Sequence, residues 1–127
     1  MNEERFFELL AQLPNKGWKA CIFYDGEAFL LAAPGSEEYI HCPLSAVAIE
    51  QGFQPKTGWQ SLNAEEVSNL LDLPKEVAYA IDGVARDAFP ERPHLYSSER
   101  LKRHSELRER MIKALGLSNP GQHHENP

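Results

Sequence analysis

"WKACIFYDGEAFLLAA", from Trp18 to Ala33, decides the fold. Asp25 and Gly26 stand between two strand-like apolar runs. An Asp-Gly pair suits the two-residue type I′ turn, whose central residues both need positive φ. A turn there sets Tyr24 opposite Glu27, Ile22 opposite Phe29 and Cys21 opposite Leu30. Alternation then gives one face to Ala20, Ile22, Phe29 and Leu31, and the other to Cys21, Phe23, Ala28 and Leu30. Both faces are apolar. Such a hairpin needs cover on both sides, from the chain's own helices or from a partner.

Downstream, "APGSEE" reads as a turn and "EYIH" as a short third strand. The hairpin 18–33 and a strand over 38–42 predict a small antiparallel three-stranded sheet. Pro43 suits the first position of a helix carrying Leu44, Val47, Ala48 and Ile49, with Gly52 closing it. "FQPKTGWQSL" is irregular. Upstream, Phe6, Leu9, Leu10 and Leu13 recur at helical steps over Asn2 to Leu13, with Glu3 and Glu4 at the positive helix start. Pro14 and "NKG" end that helix.

The rest of the chain is helical in pattern. Asn63 with Glu66 forms a capping-box signature ahead of "AEEVSNLLD". Pro74 opens a helix with Val77, Ile81, Val84 and Ala88 inward, and "PERPH" breaks it. A last helix from Ser98 to Leu115 turns Leu101, Leu107, Met111 and Leu115 inward. On its solvent side Glu99–Arg103, Glu106–Arg110 and Glu109–Lys113 are acid-before-base pairs four residues apart. The expected fold is one α+β domain over 1–116, with four to five helices packed on the sheet and a helix-rich C-terminal half. A disordered tail is expected over 117–127.

Composition narrows the function. The 127 residues carry a net charge of −6, with 42% hydrophobic and 25% charged residues. That is the balance of a globular domain, and its acidity opposes a grip on phosphate backbones. No apolar run approaches membrane-spanning length. The acidic N-terminus "MNEERFFELLAQLP" lacks the pattern of a secretion signal, and two cysteines without one read as reduced thiols of a cytoplasmic protein.

Within "LNAEEVSNLLDLPKEVAYAID", Leu62 to Asp82, several residues share one pattern. They are Glu66-Val67-Ser68 and Leu70-Leu71 in a first helix, Asp72-Leu73-Pro74 in a turn, and Val77 and Ile81 in a second helix. The stretch, about a sixth of the chain, resembles the bihelical core of helix-turn-helix domains in bacterial transcription factors. The resemblance implies a second helix that faces the DNA major groove. Its outward positions here would be Lys75, Glu76, Ala78, Tyr79 and Asp82, and the two carboxylates would repel phosphates. A structural helical hairpin is therefore expected.

Cys42 is the candidate for chemistry. At a helix N-cap its thiolate would meet unpaired N–H groups and the positive end of the helix dipole. His41 is adjacent, but neighbours on a strand point to opposite faces. The alternative is a small, buried capping residue. No zinc-type spacing, Gly-rich phosphate loop or G-x-S-x-G elbow occurs, so neither metal nor cofactor is expected. The leading expectation is a non-enzymatic interaction or regulatory protein that binds a protein partner or itself. Trp59, Lys75, Tyr79 and Tyr96 are its candidate binding residues. A thiol-dependent enzyme or redox sensor using Cys42 is the alternative, and a DNA-binding regulator using 62–82 the second. Nucleic acid and membrane are not expected as partners, and no small-molecule ligand is indicated.

Overall fold

The hairpin forms in the expected register, with Ile22 opposite Phe29 and Cys21 opposite Leu30. The computed structural model describes residues 1–23, 28–54, 62–86 and 97–117. The Asp25-Gly26 turn, the irregular stretch over 55–61, the "PERPH" break and the tail beyond 117 lie outside these residues. Helix α1 (Glu3–Gln12) and a short 3-10 turn (Pro14–Lys16) come first, followed by strands β1 (Lys19–Phe23), β2 (Ala28–Ala33) and β3 (Ser36–His41). Helices α2 (Pro43–Glu50), α3 (Ala64–Leu71), α4 (Lys75–Arg86) and α5 (Ser98–Ala114) complete the order. The fold is α+β, with an antiparallel sheet ordered β1-β2-β3.

The third strand begins at Ser36, two residues before the expected start. The turn needs only Pro34 and Gly35, because Gly35 adopts φ 72°, a left-handed conformation that costs glycine little. The ladder shifts register between Ala32 and Ala33, and Cys42 falls outside the strand as the N-cap of α2. A second glycine is required at position 17. Its φ is 93°, and a Cβ there would lie 3.3 Å from the Pro34 ring.

One face of the sheet enters the core. Phe29 and Leu31 are buried, and β2 packs against α2 and α4. On the alternate positions of β2 and β3 burial is uneven: Ala32 is buried, Leu30 half-buried and Ile40 exposed. Helix α2 is buried along Pro43, Leu44, Ser45, Ala46, Val47 and Ala48. Phe6, Leu10, Val67, Ile81, Leu107 and Met111 join the same core.

Two expectations need correction. Ala78 was expected to face outward, but it is fully buried with Ile81, Val84 and Ala85, while Val77 is only half-buried. Helix α4 packs against α2, α3, α5 and β2 together. Its apolar side is therefore broader than a single stripe, and the small Ala78 lets neighbours approach.

Helix α5 is also not laced only to itself. Arg103 reaches back to Glu3, at 3.2 Å from Nη1 to Oε2. Arg110 bonds both Glu3 and Glu4 and stacks its guanidinium 4.1 Å over the Phe7 ring. The Arg103 hydrogen bonds hold the Glu3 carboxyl below the usual glutamate range; partial burial opposes this, and the Arg103 and Arg110 charges reinforce it. The same carboxylate raises Arg103. Arg108, a further cation of this helix, is buried, at 7% exposure. Lys102–Glu106 is a within-helix pair, at 4.0 Å.

Candidate functional site

Cys42 stands where its sequence neighbours imply. Its backbone is extended, Pro43 follows at the first helical position, and its sulfur accepts a hydrogen bond from Ser45 N–H at 3.4 Å. The same thiol donates to the Leu62 carbonyl at 3.9 Å. Ser45 Oγ, fully buried, accepts from Leu62 N–H at 3.0 Å. Both main-chain groups of Leu62 are thus held by side chains of the first turn of α2. The bond to Leu62 uses the thiol's hydrogen, which a thiolate lacks.

His41 has different surroundings. It is buried, and its ring meets Trp18 edge-on with centroids 6.0 Å apart. Burial pushes its imidazole below the usual histidine range and favours the neutral ring. Trp18 itself donates from Nε1 to Glu50 Oε2 at 2.8 Å, and Lys16 approaches the same carboxylate at 3.5 Å. This cluster joins the 3-10 turn, the sheet and the end of α2. Nothing in the sequence around Glu50 signals this bond, because its partner lies 32 residues away.

The hairpin of α3 and α4 has the most exposed large apolar side chains among the described residues. Asn63 accepts from Glu66 N–H at 2.8 Å, and Glu66 accepts from Asn63 N–H at 3.3 Å, so the capping box is formed. Asp72 ends α3 in the left-handed region, at φ 51°. Ser68 Oγ donates to the Leu73 carbonyl at 2.6 Å, and Leu73 N–H donates to the Ser68 carbonyl at 3.0 Å. The nitrogen of Met1 donates to the Leu71 carbonyl at 2.9 Å. Tyr79 on α4 is 53% exposed and Leu70 on α3 41%. Lys75 Nζ lies 3.9 Å from Glu65 Oε1, linking the outer sides of the two helices.

Lys75 and Tyr79 therefore share one exposed side of α4, a helical turn apart. Cys42 lies elsewhere, at the start of α2. Trp59 and Tyr96 lie outside the described residues. Leu70 was not among the candidates, because a leucine in an amphipathic helix reads as core. Among the described residues, no three His, Cys, Asp or Glu side chains gather as a metal site, and no helix is long and apolar enough to cross a membrane. Comparison with models of known protein families, with characterised proteins and with solved structures yields no match.

Proposed function

We propose that the protein is a non-enzymatic interaction module that receives a protein partner on the outer side of the α3–α4 hairpin. The supporting observation is Tyr79, an aromatic ring more than half exposed on a helix whose opposite side is anchored by Ala78, Ile81 and Val84. Exposed aromatics on a rigid support make low-entropy binding anchors. The bonds of Cys42 to Ser45 and Leu62 account for that residue without chemistry, which favours this reading over a thiol enzyme. The carboxylates of Glu76 and Asp82 weigh against DNA. In this reading the protein works in the cytoplasm, where a thiol such as Cys42 stays reduced.

Light scattering tests the proposal, on the protein alone and after incubation with host-cell extract and repurification. A species larger than the monomer should form and be lost in a Leu70→Ser, Tyr79→Ser double variant. A strict monomer that retains nothing from extract, with the variant indistinguishable, would count against it.

A further inference from the structure

We infer that residues 98–106, the first half of α5, form a strap that is latched to α1 through Glu3 and opens separately from the second half. The two halves of this helix are held by different forces. From 107 onward, Leu107, Met111, Ile112 and Leu115 are buried in the core. Within 98–106 no side chain is buried: Leu101, Arg103 and His104 are half-buried and the others exposed. Apolar burial therefore anchors the second half far more firmly than the first, and the cost of local opening follows such burial.

The latch is one carboxylate. Glu3 accepts from both terminal nitrogens of Arg103, with Nη1 3.2 Å from Oε2. It also meets Arg110, which is held in addition by Glu4 and by the Phe7 ring. Arg110 thus stays on α1 with the buried half, while Arg103 carries the tie to the strap. Arg100 and His104 have partners of their own, and Lys102 pairs with Glu106 inside the helix, which supports helicity without docking it. The Arg103 side chain is 42% exposed, so dissolved ions screen its pair with Glu3. The packing of Leu107 and Met111 offers no such handle. Opening detaches Arg103 and bares Leu101 while the buried half keeps its place.

Hydrogen–deuterium exchange of the full chain tests this, read as protection relative to an unstructured peptide. Helical protection starts at Leu101, whose N–H bonds the Ser97 carbonyl, so amides 101–106 are compared with amides 111–115. The first set should be at least roughly tenfold less protected. Raising sodium chloride from about 0.01 M to about 1 M should lower its protection by roughly threefold or more and leave the second set unchanged. Arg103→Gln should do the same at low salt, and Arg103→Lys less so, because lysine keeps the charge and loses the two-pronged bond.

Equal protection of the two sets would show α5 opening as a unit and overturn the inference. So would an Arg103→Gln variant that lowers both sets by the same factor, or protection of 101–106 that neither salt nor the substitution changes. The salt series uses the parent protein, so it decides the matter even where a variant loses stability.

Discussion

Ser68 and Leu73 are bonded to each other twice, hydroxyl to carbonyl at 2.6 Å and carbonyl to N–H at 3.0 Å. Both residues are buried, so the pair sets how α4 leaves α3 and how Tyr79 is presented. Ser68→Ala leaves the Leu73 carbonyl short of a partner away from water, a loss of about 1–2 kcal/mol. Urea unfolding should show a lower midpoint at an unchanged slope. An unchanged midpoint would mean that the turn is held by other groups.

The corner at Cys42 gives a second prediction. Serine is a stronger N-cap than most residues, so Cys42→Ser should stay within about 1 kcal/mol of the parent. Ser45→Ala, by contrast, strands the buried Leu62 N–H and should cost about 1–3 kcal/mol. In a Cys21→Ala background, which isolates Cys42, iodoacetamide should react no faster than with an unstructured thiol. Faster labelling below pH 8 would revive the thiol-chemistry reading.

Much of this frame is legible in the chain because its causes are local. The apolar runs of β1 and β2 pair in the register their alternation implies, Pro43 stands at the start of α2, and Asn63 with Glu66 caps the start of α3. Missed features depend on which surfaces meet. Nothing near Ala78 announces that α4 will be packed on several sides. Likewise, Arg103 has glutamates within its own helix, yet bonds Glu3 across 100 residues. Leu70 carries the same chemistry buried or exposed, so its place on an outer surface could not be read from pattern.

Ala78 provides the third prediction. At 0% exposure it has no room for a larger side chain. Ala78→Leu should therefore cost about 1–3 kcal/mol through overpacking, despite leucine's good helix propensity. A neutral thermal melt would restore Ala78 to the outward side and undo the corrected orientation of α4.

Acid should destabilise the protein in two windows. The folded-state pKa of His41 is lowered by burial, so the unfolded chain takes up that proton first. The resulting stability is complete above the usual histidine range and is lost as pH falls toward the folded value. Glu3, lowered first by its Arg103 hydrogen bonds, follows the same sign from the usual glutamate range downward. His41→Phe keeps a ring against Trp18 and should flatten the upper window; Glu3→Gln should flatten the lower one. Urea midpoints measured across pH would separate them, and a window that survives its own variant would assign it to another group.

The central claim is tested most directly by photo-cross-linking from position 79 in the cell. A benzoylphenylalanine replacing Tyr79 should attach to a discrete protein, and Leu70→Asp should abolish the product. The same probe at Ser105, exposed on α5, should not give it. Equal products from both positions, or none from position 79, would contradict the assignment of the α3–α4 face as the docking surface.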